Sequence, residues 1–274
     1  MERLDAHCHF WRLDRGDYGW LDGQGGALQP LRRDFGPKDH PGGGPVIAVQ
    51  AAPTLAETDY LLELADHNRR IIGVVGWVDL SADSAAGDLR ARAAHPRFRG
   101  IRPMLQDIAA TDWLLSAPQP AALAELTRLG LRFDALVTER HLPVLARFAA
   151  QNPDLPIVID HAAKPQPGAR ADWVEGMRHL ASLGLHCKLS GLLTELAPAD
   201  LRDPLAALRP ILGQLLDWFG PERLIWGSDW PVLTLAAPYH DWLVLTDELL
   251  ADLAPAERAA ITGGNAMRFY GVTP

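Results

Sequence analysis

His7 and His9 stand two residues apart in the run Leu4-Asp5-Ala6-His7-Cys8-His9-Phe10. In a β-strand, residues i and i+2 point to the same face, so both imidazoles enter one space. That placement suits a shared metal ion or a shared substrate. The plainer reading is a pair of polar side chains steadying a loop at a strand end. The far end of the chain favours chemistry. There, the run Arg223-Leu224-Ile225-Trp226-Gly227-Ser228-Asp229 ends in a carboxylate.

Groups so distant in sequence need a fold that gathers them. Eight short apolar runs are evident, at 4–10, 45–52, 71–80, 98–104, 131–137, 156–162, 186–192 and 223–229. Most are separated by amphipathic helical patterns, such as Glu57 to Asn68, Ala121 to Leu129, His141 to Gln151, Asp172 to Leu183, Leu205 to Phe219 and His240 to Leu253. Apolar residues there recur at three- and four-residue steps, as a surface helix requires. Alternating strands and helices imply a parallel sheet with crossover connections, and eight repeats predict a closed (β/α)8 barrel. Residues 11–44 break the pattern and predict a long first loop over one barrel end. Pro255 to Tyr270 predicts a closing helix pair. With no internal repeat and no linker, residues 1–274 read as a single domain.

Barrel active sites lie where strands end in loops. His7 and His9 end the first run, Arg102 the fourth, His161 the sixth and Asp229 the eighth, while Asp134 lies in the fifth and Lys188 and Ser190 in the seventh. Each has a bland alternative: a strand-end Asp often caps the next helix, and a lone His is often a satisfied core residue. Asp134 and Asp160 fit that alternative best. Polar groups at six strand ends together point to one shared site.

Composition excludes several classes. The 274 residues are 48% hydrophobic and 22% charged, as in an ordinary globular protein. The net charge of -8, without a basic block, argues against a nucleic-acid partner. No apolar run approaches the roughly 20 residues that span a bilayer. No basic stretch followed by an apolar core marks a signal peptide. Two cysteines, Cys8 and Cys187, make no disulfide framework, so a cytoplasmic location is expected. Cys8 points away from the His7/His9 face in a regular strand and is expected to pack in the core.

Several segments run in order along nearly the whole chain: Asp5-Ala6-His7-Cys8-His9-Phe10-Trp11, Arg15-Gly16-Asp17-Tyr18-Gly19-Trp20-Leu21, Gly100-Ile101-Arg102, Leu105-Gln106-Asp107, Asp160-His161-Ala162-Ala163-Lys164-Pro165, Cys187-Lys188-Leu189-Ser190-Gly191-Leu192, Gly227-Ser228-Asp229-Trp230-Pro231-Val232 and Gly264-Asn265-Ala266-Met267-Arg268-Phe269-Tyr270. Together they resemble the amidohydrolase superfamily, and within it the lactonase branch of L-fuconolactonase and L-rhamnonolactonase. The resemblance implies a (β/α)8 TIM barrel that hydrolyses cyclic esters of sugar acids. It matches His7 and His9 to a first-strand metal pair, Asp229 to a metal ligand or the base for the attacking water, and His161 to a histidine at the substrate. Two-metal relatives carry a bridging Lys or Glu on the fourth strand and many carry a His on the fifth; here Arg102 and Asp134 stand there. A binuclear centre is therefore not expected. One Zn²⁺ on His7, His9 and Asp229 with an open position for water is the metal reading, and a metal-independent site is the other. Close relatives read Gly-Ile-Arg-His and Leu-Gln-Asp-Glu where this chain has Pro103 and Ile108, a departure that bears on substrate binding.

Lactone hydrolysis requires an activated water, a polarised carbonyl and a proton for the leaving alkoxide. Asp229 is expected to be the general base. Arg102 and Lys188, with Lys164 a weaker candidate, suit the oxygens of an acidic product. Trp11, Trp20, Trp113 and Trp230 lie at strand ends or in loops, where an indole packs on the C–H face of a sugar; Trp11 and Trp230 are the preferred contacts. Competing readings keep the barrel but change the reaction: a pyrone-dicarboxylate lactonase, a lactone isomerase, a decarboxylase, or a non-catalytic binding protein. The expected partner is a small molecule, and exposed barrel helices are compatible with a homo-oligomer.

Overall fold

The eight apolar runs become eight strands. In a computed structural model describing residues 3–21, 26–168 and 170–273, the strands are β1 Asp5–Cys8, β2 Val46–Val49, β3 Ile71–Gly76, β4 Phe98–Ile101, β5 Arg132–Ala135, β6 Ile157–Ile159, β7 His186–Leu189 and β8 Leu224–Trp226. Runs such as Val46-Ile47-Ala48-Val49 are apolar on both faces, because a parallel strand in a barrel wall is buried on both sides. Each strand pairs in parallel with the next in chain order. A parallel bridge between Cys8 and Trp230 joins β1 to the end of β8 and closes the barrel.

Helices cross over between strands, α1 Leu55–His67, α2 Ala85–Ala93, α3 Trp113–Ser116, α4 Pro120–Arg128, α5 Leu142–Gln151, α6 Ala171–Ser182 and α7 Pro204–Phe219, and α8 Tyr239–Leu249 follows β8. Their starts follow local chemistry. Thr54 accepts a hydrogen bond from the Glu57 N–H ahead of α1, and Asp203 accepts from the Ala206 N–H ahead of α7, where Pro204 takes the first helical position. The expected closing helix pair is α9 Pro255–Ala259 and α10 Asn265–Tyr270, joined by a wider turn at Ala260–Gly264.

Two apolar clusters divide the core. The larger lies between the barrel wall and the outer helices; the smaller gathers Leu4, Ala6, Ile47, Val49 and Ile225 with Phe269 and Tyr270 of α10. Helix α10 lies across the N-terminal barrel end, where Asn265 Nδ2 donates to the Leu224 carbonyl and Arg132 Nε to that of Phe269. The opposite end receives the long first loop, which contains short helical turns at Leu13–Arg15, Gly19–Leu21 and Gly26–Leu31. No described helix is long and apolar enough to cross a membrane.

Candidate active site

Asp229 is held in place by the seam that closes the barrel. Its own N–H donates to the His7 carbonyl at 2.8 Å, and the His9 N–H donates to the Trp230 carbonyl at 2.7 Å. Between these bonds Asp229 adopts a left-handed conformation, φ 62°. That backbone costs a non-glycine residue roughly 1–2 kcal/mol and turns the carboxylate inward. Asp5 reinforces the seam: its Oδ1 accepts from the N–H groups of His7 and Ser228, and its Oδ2 faces His40 Nε2 at 3.0 Å. Gly227 lets the strands approach, since a β-carbon there would meet that of His7 at 2.6 Å.

Three imidazoles surround the carboxylate. From Asp229 Oδ1, His9 Nε2 lies 3.1 Å away, His7 Nε2 3.8 Å and His161 Nε2 3.9 Å. Burial pushes the Asp229 carboxyl up, but His161, His9 and His7 outweigh it and hold the group below the usual carboxylate range. Burial lowers His161, favouring its neutral form. His161 begins a left-handed turn through Lys164, with φ between 48° and 57° at four successive non-glycine residues. The turn is buried at Ala162 and Ala163, and the Ala162 carbonyl accepts from Trp173 Nε1 at 2.8 Å. His161 Nδ1 then meets Ser190 Oγ at 2.9 Å.

His9 bears on the metal question. Its Nδ1 lies 2.8 Å from the Val49 carbonyl, so that nitrogen donates and Nε2 carries the lone pair in the neutral ring. That lone pair faces a carboxylate oxygen, and two acceptors 3.1 Å apart are satisfied by a cation between them. Tetrahedral zinc, with bonds of about 2.0–2.2 Å, sets its ligands roughly 3.3 Å apart. The 3.1 and 3.8 Å separations bracket that value. The separations among His7, His9 and Asp229 are thus compatible with a divalent ion held between them.

Below this trio lies a buried charge cluster. Lys188 Nζ contacts Asp134 Oδ2 at 2.5 Å, Asp160 Oδ1 at 3.0 Å and His7 Nδ1 at 3.0 Å. Arg102 Nη1 lies 3.6 Å from Asp160 Oδ2 and 3.4 Å from His7 Nε2. Two cations thus face two carboxylates, all nearly inaccessible to solvent. Burial raises Asp134 to about 6 against the pull of Lys188. At Asp160 burial also raises, but Lys188 and His7 prevail and hold it well below the usual range.

Above the trio opens a cavity of about 250 Å³ at the C-terminal barrel end. It is lined by the polar groups of His9, Asp229, His161, Arg102, Lys164, Gln106 and Asp107 and by the apolar Trp11, Trp20, Ala51, Met104, Leu136 and Val232. The volume falls just below the range usual for ligand sites, about 300–1,000 Å³, and suits a single small ring. A second cavity, about 330 Å³, lies at the opposite barrel end, and among the described residues that line it only Asp154 and His186 titrate.

The residues singled out in the sequence divide between these layers. His9, His161, Asp229, Arg102, Lys164, Trp11 and Trp20 meet at the cavity. Lys188, expected to touch substrate, instead lies wholly buried beneath His7. Trp230, also expected at the substrate, is 3% exposed and packs against Phe10, Phe35 and His40. It follows Asp229 directly, so its side chain turns to the other side of the strand path. Trp113 packs against the outer core. Cys8 faces the outer core as expected, with Sγ toward the Ile47 carbonyl. Sequence reading passed over Gln50, whose Nε2 donates to the Arg102 carbonyl at 2.7 Å while its own carbonyl accepts from the Arg102 guanidinium. A polar residue directly after Val46-Ile47-Ala48-Val49 was the available signal. It also passed over the backbone role of Gly191, at φ 60°, where a β-carbon would lie 2.5 Å from His161 Nδ1 and 3.0 Å from Asp229 Oδ2. Gly191→Ala is expected to lower kcat/KM about 100-fold, because it displaces His161 from Asp229. Steady-state kinetics beside circular dichroism checks this, and unchanged kinetics would show that this approach is not needed.

An amidohydrolase family model matches residues 4–272, and the chain belongs to the amidohydrolase family. It is 43% identical to an L-fucono-1,5-lactonase of Burkholderia ambifaria over 98% of this chain and 95% of that protein. It is 41% identical to an L-fucono-1,5-lactonase of Burkholderia multivorans over the same shares. Among solved structures, an amidohydrolase of Burkholderia multivorans with bound zinc superposes with a TM-score of 0.86 at 37% identity, covering both chains completely.

Proposed function

We infer that this chain is a hydrolase of sugar-acid lactones, with an L-fucono-1,5-lactone-like six-membered ring as its substrate. The similarity to the two L-fucono-1,5-lactonases over nearly the full length carries the class of reaction. The small cavity, lined by an ionised carboxylate, imidazoles and indoles, supports it physically. Trp20, partly exposed at the cavity, offers a face for the C–H surface of the ring, with the buried Trp11 packed edge-on behind it. Among the described residues that line the cavity Arg102 is the only arginine, which disfavours a substrate bearing several carboxylates.

In this reading a water between Asp229 and the ring carbonyl is the nucleophile. As its oxygen bonds to the carbonyl carbon, its proton becomes strongly acidic and passes to Asp229 Oδ. A carboxylate held below its usual range is already ionised wherever a lactone survives, so it needs no prior deprotonation. Arg102 places positive charge near the developing oxyanion. The ring C–O bond then breaks, and the proton held by Asp229 goes to the leaving alkoxide, with neutral His161 beside it to relay or position that transfer. The product is the open-chain hydroxy acid. His7, His9 and Asp229 would hold a single zinc ion, which when bound supplies carbonyl polarisation and a more acidic water.

The test is acid release from a panel of aldonolactones, corrected for spontaneous hydrolysis. Rapid release is expected with fucono-1,5-lactone and its close stereochemical relatives. Prolonged chelation is expected to lower the rate, and zinc to restore it with one metal per chain by elemental analysis. Silence across the panel with zinc-supplied folded protein would overturn the lactonase reading. Full activity without metal would overturn the zinc assignment.

A further inference from the structure

Tyr270 ends the Gly264–Tyr270 motif and enters the barrel from the end opposite the cavity. It is fully buried, and burial together with Asp134 holds its phenol far above the ordinary value, so the hydroxyl remains a donor. Its Oη donates to Asp134 Oδ2 at 2.8 Å. The same oxygen accepts from Lys188 Nζ, which in turn lies 3.0 Å from His7 Nδ1. Asp134 Oδ1 has no hydrogen-bond partner among the described residues, so Oδ2 alone anchors this carboxylate. The Tyr270 ring centroid lies 5.6 Å from Lys188 Nζ. A continuous line of contacts therefore runs from α10 through Asp134 and Lys188 to the imidazole that faces Asp229.

We propose that Tyr270 is a positioning residue for the reaction, setting His7 against Asp229 through Asp134 and Lys188. Lys188 has two competing carboxylates, Asp134 at 2.5 Å and Asp160 at 3.0 Å. The Tyr270 hydroxyl fixes the first. Without it, Asp134 rotates more freely, the ammonium shifts toward Asp160, and His7 loses its support on the side facing away from the cavity. The kinetic part of this proposal rests on the lactone-hydrolase reading; the His7 part does not.

Tyr270→Phe removes one oxygen and keeps the ring. It is expected to lower kcat on the lactone about tenfold with KM unchanged, the size typical of groups that orient an active-site ligand. The His7 ring ¹⁵N resonances, assigned with His7→Gln, should shift. In an Asp134→Asn background, Tyr270→Phe should cost no further kcat, because both act along one line. Phe148→Leu, in the outer core against Phe133, serves as a control that lowers the thermal midpoint while leaving kcat per folded molecule unchanged. Wild-type kcat with unmoved His7 resonances in Tyr270→Phe would overturn the proposal, as would losses that multiply in the double variant. If the wild-type protein opens no lactone, the functional reading fails, and the His7 resonances still decide this inference.

Discussion

Asp229→Asn is expected to reduce lactone turnover about 10³-fold while the protein stays folded, the magnitude of losing a well-placed general base. The substitution is nearly isosteric, and the backbone bonds that hold residue 229, to the His7 carbonyl and across to Trp230, do not involve its side chain. What changes is the acceptor. Asparagine cannot take the proton from water, and its amide offers His9 Nε2 an N–H in place of a carboxylate oxygen 3.1 Å away. Zinc content measured on the same variant separates the two duties of this carboxylate. Loss of metal and turnover together marks a ligand; loss of turnover with metal retained marks a base. Retention of more than a tenth of wild-type turnover would move the proton acceptor to another group in the cavity, His9 or His161.

The barrel was legible because its strands are buried on both faces and read as apolar runs between amphipathic helices. The runs overreach the hydrogen-bonded strands, and the excess is informative. His9 and Arg102 lie one residue beyond β1 and β4, His161 two beyond β6 and Asp229 three beyond β8. These are the residues that reach the cavity. Asp134 and Lys188 lie inside their strands and point into the barrel at mid-depth, so they form the floor. Asp160, one residue past β6, is the exception that turns down onto Lys188. Periodicity of two reports which face a side chain takes but not its depth along the barrel axis. That is why Lys188 read as a substrate contact. Tyr270 was legible only as part of a motif, since no local pattern shows that a C-terminal helix inserts its last aromatic ring beneath a site built from the other end of the barrel.

Lys188→Met is expected to destabilise the protein by about 3–5 kcal/mol, the cost of breaking a buried ion pair by removing one partner. Methionine fills much of the space of the lysine stem, so the loss is electrostatic. Asp134 and Asp160 would face each other with the Arg102 guanidinium, 3.6 Å from Asp160, as the remaining cation of the cluster. Asp134 is already raised to about 6 by burial with the ammonium in place. Without that cation it shifts further upward, and the variant is expected to recover some stability as the pH falls and the carboxyl protonates. The decisive comparison is Lys188→Met with Asp134→Leu. It removes one charge of each sign, leaves Arg102 paired with Asp160, and should restore most of the lost stability, since replacing a buried pair by apolar groups is often neutral or better. Chemical denaturation of the three proteins measures this directly. A single variant as stable as wild type would mean that the ammonium does not hold the carboxylates. In the double variant turnover should stay low although the fold recovers, because His7 Nδ1 no longer has an ammonium 3.0 Å away. Recovered stability without recovered catalysis is the result that places the charge cluster in the service of the site rather than of the barrel.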